Sequence, residues 1–407
     1  MRKISNFLVC LIALVLGVFG GGIYITYKTL PETEELVESE SLFYSLDANG
    51  EVNTATFDNG LDVFSVHFLE LGNKYTGDCT YIKYGNTDIL IDCGSRSNSV
   101  EAVSNYLNKY VADNTFEYVI VTHAHRDHYA GFAASTSIFD LYVCENIIDF
   151  GNATNQEDGA ATYERYKKER DAEIALGANY IPAISCRKAD NTNQVFVIDE
   201  TNQVEFEVLY NEYTRYDRTN SATNSYKAGS ENDYSVCTLF SFGEKKFIFT
   251  GDLESGENHE GGEEKLVKNN QSLIDLRDNG NHYGVSLYKA GHHGSKTSSG
   301  ETLLDAIRPE YVGVCCCAGS DEYKAEPENT FPTQAFIDRI AQYTDKIFVT
   351  TLCVDWSKGI YTSFNGNIVV WIKPAMENVS IDCSNNNKKL KDTEWFAINR
   401  TNPWIVE

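Results

Sequence analysis

Thr122-His123-Ala124-His125-Arg126-Asp127-His128-Tyr129-Ala130-Gly131 sets three histidines and an aspartate within six residues. It follows a run from Phe116 to Val121 whose Tyr118, Val119, Ile120 and Val121 are apolar without alternation, as in a strand covered on both faces. A buried strand that stops and presents four metal-type side chains on the next loop predicts a metal centre. Histidine with carboxylate suits zinc, manganese or iron. A solvated polar loop would explain one histidine, but not H-x-H-x-D-H behind an apolar strand.

Further along the chain, two more strand ends carry ligand-type residues. Lys246 to Thr250 runs into Gly251-Asp252, and Val285 to Lys289 runs into Gly291-His292-His293-Gly294. Five of the eight histidines lie in the H-x-H-x-D-H and His-His motifs, which predicts one shared site. Around these motifs the text alternates strand and helix. Tyr81–Tyr84 and Ile89–Ile91 read as a hairpin at Gly85-Asn86. Val100, Val103, Leu107 and Val111 recur at helical spacing. Ala160 to Leu176 reads as a charged helix, and Val195–Ile198 with Val204–Leu209 as a second hairpin. Tyr311–Cys317 and Lys346–Thr350 read as strands, with a helix from Thr333 to Tyr343 between them. Ile360–Phe364 and Ile368–Ile372 around Asn365-Gly366 complete the sheet. Asn211 to Asn232 is a long polar loop, read either as a wall of the substrate entrance or as a surface excursion.

The metal string resembles the signature of the metallo-β-lactamase superfamily. The flanking text, Val66 to Gly72, Asp88 to Gly94, Phe249 to Asp252 and Gly291 to Ser299, is similar to the hydrolase domain of ComEC-type competence proteins and related phosphorylcholine esterases. The resemblance implies an α/β fold, a four-layer αβ/βα sandwich of two mixed sheets flanked by helices, over residues 61–373. It also implies two divalent cations, zinc first and manganese as the alternative. His123 and His125 would hold one, Asp127, His128 and His293 the other, with Asp252 bridging. His292 then serves nearby or in proton transfer, and Asp127 also orients the nucleophile, a hydroxide formed between the cations. The histidine most dinuclear members place before the bridging aspartate has no counterpart here, because Tyr129 to Gly251 contains none. Asn232 or Asp233 is the candidate stand-in. The backbone N–H groups after His293, the Ser295 hydroxyl and the Lys296 ammonium suit a phosphate oxygen, and Lys296 counts among the catalytic candidates. The same stretch also suits a helix N-cap at Ser298 or Ser299. Asn329 resembles part of a downstream substrate loop.

The formal charge of −25 disfavours a long nucleic-acid groove, although bound dications would reverse the local field. Eleven cysteines include no C-x-x-C pair, and Cys315-Cys316-Cys317 reads as small buried hydrophobes on a strand. Arg2 and Lys3 precede an apolar run from Phe7 to Tyr27 of membrane-spanning length, so residues 1–28 read as an anchor with the body outside the cytoplasm. A cleaved signal at Gly20-Gly21-Gly22, giving a secreted product, is the competing reading. Residues 29–60 read as an acidic spacer and 374–407 as a polar tail docked by Trp395 and Trp404. One membrane-length segment excludes a DNA-uptake channel. The expected function is an extracytoplasmic phosphodiesterase acting on nucleic acid or cell-wall phosphodiesters. The alternatives are a thioester, lactone or β-lactam hydrolase and a metal-stabilised surface module without activity.

Overall fold

The computed structural model describes residues 60–404 except 152–159, 188–192, 212–230, 257–260, 324–325 and 327, together with two-residue strands at Ser45–Leu46 and Val52–Asn53. The expected anchor and nearly all of the expected spacer lie outside the described residues, as does most of the polar loop before Asn232. Among the described residues no helix is long and apolar enough to cross a membrane.

Two eight-stranded sheets carry the fold. The first is ordered Ser380–Cys383, Ile368–Ile372, Phe64–Phe68, Thr80–Tyr84, Thr87–Ile91, Thr115–Val121, Val143–Asp149, Asn179–Pro182. The second is ordered Ile360–Ser363, Ile347–Asp355, Pro309–Ala318, Val285–Lys289, Lys245–Phe249, Cys237–Phe242, Val204–Tyr210, Val195–Asp199. In each, antiparallel strands adjoin a block of three parallel pairings. Parallel strands need covered faces, and their burial follows: all five residues of Val285–Lys289 are buried.

Aromatic rings fill the space between the sheets. Phe64 meets Phe247 at 4.8 Å and Tyr118 meets Phe206 at 5.1 Å between centroids. Gly313 leaves the room that the Phe68 ring occupies. The helices Ser99–Leu107 and Ala160–Leu176 share the first core, and Gly262–Lys268, Glu301–Ile307 and Gln334–Ile340 pack the outer face of the second sheet. The result is the expected helix–sheet–sheet–helix sandwich. Cys315 belongs to the core between the sheets and Cys316 to the core under the helices, as alternation along a strand requires. Among the described residues all ten cysteines are free thiols.

Two readings need correction. Asn365-Gly366 is not a hairpin turn. Ile360–Ser363 pairs with the second sheet, whereas Ile368–Ile372 crosses to pair with Phe64–Phe68 in the first. The buried Asn365 side chain fixes this crossover by accepting from Val349 N at 2.7 Å and donating to the Asn386 and Lys388 carbonyls at 2.8 and 2.9 Å. The stretch after Pro374 is also more than a tail. Ser380–Cys383 adds the edge strand of the first sheet, and the helix Glu394–Asn399 places Trp395 against Phe364 at 6.0 Å.

One buried acid ties the helical layer to the site. Glu263 is fully buried and accepts the N–H groups of Ser299 and Gly300 at 2.7 and 2.6 Å, ahead of the helix Glu301–Ile307. Neither Ser298 nor Ser299 caps that helix, whose N-cap is Gly300. Burial outweighs the two donors and pushes the Glu263 carboxyl up to about 8 from 4.5. A raised folded pKa contributes stability that is full below the unfolded value and is lost as pH rises through the folded one. Thermal unfolding should therefore show the wild type losing on the order of 2 kcal/mol between pH 5 and 9 that Glu263→Gln does not lose.

Candidate metal centre

The site forms where the parallel blocks of the two sheets end. Ile91 pairs with Ile120, so Asp92 emerges beside Thr122. Asp92 accepts the Thr122 N–H at 2.8 Å and its hydroxyl at 2.7 Å, fixing the start of the histidine loop. His125 then precedes the one-turn helix Arg126–Tyr129, which carries Asp127 and His128. In the second sheet Phe249 pairs with Lys289 in parallel. The chain beyond Phe249 delivers Asp252 and the chain beyond Lys289 delivers His292 and His293. Both histidines sit at positive φ, 45° and 54°, a strained backbone of the kind that collects at functional sites.

The ligand-type residues converge. His128 Nε2 lies 3.1 Å, and His293 Nε2 3.3 Å, from Asp252 Oδ2. His293 Nε2 is also 3.3 Å from Asp127 Oδ2. His123 Nε2 lies 3.1 Å from His125 Nδ1 and 4.0 Å from Asp252 Oδ2. The fold thus gathers all six residues read from sequence as ligands.

Hydrogen bonds on the far side of two rings set their tautomers. His128 Nδ1 donates to Asp92 at 2.7 Å and His293 Nδ1 to the Cys315 carbonyl at 2.9 Å. Each Nε2 is left facing the site, as in a metal-ligating histidine whose other nitrogen is held by an outer acceptor. Both Nε2 atoms, with Asp78 Oδ1 and Asp252 Oδ1, are buried without a hydrogen-bond partner among the described residues. Buried polar atoms are rarely left so. Asp78, His128, Asp252 and His293 offer ligand atoms within 4.8 Å of one another, a donor set that fits a divalent cation.

The electrostatics point the same way. Burial penalises charge on His128 and His293, but Asp252 and Asp78, joined at His128 by Asp92, outweigh it and hold both well above the ordinary range. Burial opposes ionisation of Asp252 and Asp127 too, yet His128 and His293 keep both well below the ordinary carboxylate range. Two of these aspartates also face a buried ammonium, Lys289. Its Nζ contacts Asp78 and lies 3.6 Å from Asp252.

Asp78 and Lys289 were missed in the sequence. The available signal was slight: an acid two residues before the strand Thr80–Tyr84, and a lysine closing an apolar strand just before Gly-His-His. Glu254 was missed as well. It faces His292 Nδ1 at 3.0 Å, leaving Nε2 toward the open side.

That open side is a cleft of about 340 Å³ lined by Arg96, His125, Arg126, Asp127, Asn232, Asp252, His292, Glu322 and Tyr323. Asn232 is buried beside His292, with Nδ2 3.5 Å from Nδ1, whereas Asp233 does not line the cleft. Tyr323, itself partly exposed, donates its hydroxyl to Asp127 at 2.8 Å. Three expected substrate contacts are not brought to the cleft. Lys296 is exposed and faces Glu328 at 3.7 Å. Ser295 turns to the Thr297 hydroxyl at 2.9 Å, and Asn329 donates to Glu326 at 3.0 Å.

Residues 72–183 match the family model of the metallo-beta-lactamase superfamily. No curated protein matches the chain. Among solved structures it is similar to the metallo-beta-lactamase fold protein YhfI from Bacillus subtilis, at 11% identity over 74% of this chain and 99% of that one, TM-score 0.37. It is also similar to Igni18, a metallo hydrolase from the hyperthermophilic archaeon Ignicoccus hospitalis, at 14% identity over 74% and 98%, TM-score 0.36. A diphosphatase of the PhnP family gives 10% identity over 74% and 98%, TM-score 0.32. The matched segment holds the histidine loop and most of the first sheet, and the second sheet supplies the remaining ligand-type residues, so the chain has a metallo-beta-lactamase fold with a buried aspartate–histidine group able to hold a metal ion.

Proposed function

We propose that the protein is a dinuclear metal-dependent phosphodiesterase working outside the cytoplasm on nucleic acid or cell-wall phosphodiesters. The observation that carries the reaction class is the pair of guanidinium groups, Arg96 and Arg126, lining the cleft beside Asp127 and Asp252. A fixed guanidinium matches the oxygens of a phosphate. Arg96 is held in place by donation to the Ser95 carbonyl at 2.6 Å and to Glu322 at 2.8 Å. The likeness of the flanking motifs to ComEC-type domains supports the same class.

Divalent cations held by His123, His125, Asp127, His128, Asp252 and His293, with Asp78 beside them, would supply Lewis acidity and a water made nucleophilic near neutral pH. The chain's own residues do the rest. Tyr323 orients Asp127. Glu254 holds His292 so that Nε2 exchanges a proton with water or leaving group in the cleft. Arg96 aligns the phosphate, and Asn232 adds a polar contact opposite. Lys296, pointing away, has no part in this scheme.

The test is turnover of a panel of phosphodiesters, thioesters, lactones and β-lactams by metal-loaded protein. Cleavage of bis(p-nitrophenyl) phosphate, reduced about 10²-fold in kcat/KM by Arg96→Gln, is the expected result. Opening of lactones or β-lactams with every phosphodiester left intact would assign the acyl-hydrolase class instead. Fractionation of native cells tests the location: the protein should sediment with membranes and be open to protease from outside.

A further inference from the structure

Arg96 is the innermost of four side chains that touch in series. Its guanidinium lies 3.9 Å from the Tyr75 ring centroid. The Tyr75 ring meets Trp356 edge-on at 5.5 Å. Lys74 Nζ lies 4.0 Å from the Trp356 ring centroid and donates to the Trp356 carbonyl at 2.8 Å. Three segments distant in sequence thus converge on a strip of two cations and two rings. Lys74, Tyr75, Arg96 and Trp356 are all partly exposed, and the strip begins at the cleft wall.

None of the outer three residues lines the cleft, so those three have no part in the bond-breaking step. Its composition is that of a surface that tracks a polyanionic backbone: cations for phosphates, with ring surface beside them. The setting sharpens the point, because the chain carries a formal charge of −25.

We propose that Lys74, Tyr75 and Trp356 bind the phosphate one repeat away from the bond being cut, so that the enzyme selects phosphodiester oligomers over monomeric diesters. This rests on the phosphodiesterase reading above and adds substrate length to it. Arg96 aligns the scissile phosphate, Lys74 takes the next one, and the two rings between them bear on the connecting unit.

The experiment measures kcat/KM of metal-loaded wild type, Lys74→Gln and Trp356→Leu on bis(p-nitrophenyl) phosphate, a thymidylate tetramer and a glycerol-phosphate oligomer. Each variant should lower the ratio of oligomer to monomer kcat/KM about tenfold, mainly through KM, and Lys74→Gln should flatten the salt dependence on oligomer. Loss on both oligomers assigns the strip to the repeated phosphate. Loss on the thymidylate oligomer alone assigns it to phosphate and base together. Equal losses on monomer and oligomer overturn the strip while leaving the phosphodiesterase reading intact. If the wild type cleaves no diester, that reading fails. The strip is then decided by calorimetric titration with the intact oligomers, where affinities unchanged by Lys74→Gln overturn it.

Discussion

Asp252→Ala should empty the metal site and lower turnover by about 10³-fold or more, because one carboxylate serves ligands from both sheets. Its Oδ2 lies within 3.3 Å of His128 and His293 and 4.0 Å of His123 and His292, and its Oδ1 is 3.6 Å from Lys289. Alanine leaves these bases and the ammonium without their shared counter-charge. Elemental analysis should find both ions missing. Retention of one ion would show that Asp252 serves a single site and does not bridge. Asp252→Asn separates charge from shape: it keeps an oxygen and should recover little metal.

Gly94→Ala should cost about 3 kcal/mol or more, seen as a fall in melting temperature of about 5–10 °C and loss of bound metal. A Cβ at Gly94 would run into the backbone of Asp127 and His128, which no rotamer change can relieve. Four main-chain hydrogen bonds lock these segments together: Cys93 N to His128 O at 2.7 Å, Gly94 N to Asp78 O at 2.9 Å, Asp78 N to Asp127 O at 3.0 Å and Gly131 N to Cys93 O at 2.5 Å. The control is Gly243→Ala. That glycine has φ 55° but open space around it, so alanine there should cost about 1 kcal/mol and leave metal content alone. Similar losses at both positions would mean that the close approach to the ligand loop does not set the cost at Gly94.

The legible parts of the sequence were those where function and local pattern coincide. His123 to His128 announce themselves because four ligand-type residues crowd behind one apolar strand. Asp252 and His293 follow because each ends a strand of the same kind. Asp78 and Lys289 were not legible, since each is a single charged residue whose meaning comes only from the register of strands that meet in three dimensions. Lys296 misled because it lies three residues from His293 in the chain, yet its ammonium is exposed and faces Glu328. Asn365-Gly366 misled for a related reason. The dipeptide suits a tight turn, and nothing local says that the chain is changing sheets.

The crossover from Ile360–Ser363 to Ile368–Ile372 is one of the places where the chain changes sheet, and the metal ligands are divided the same way, with Asp78 to His128 on the first half and Asp252 to His293 on the second. An ion bound there works as a rivet between two leaves. Its binding free energy then adds to the cohesion of the sandwich itself, by an amount that grows with the logarithm of free ion over its dissociation constant. A chelator should therefore do more than stop turnover. It should loosen both leaves together, and amide exchange after chelation should quicken in the histidine loop and in the Gly251–His293 segments in step.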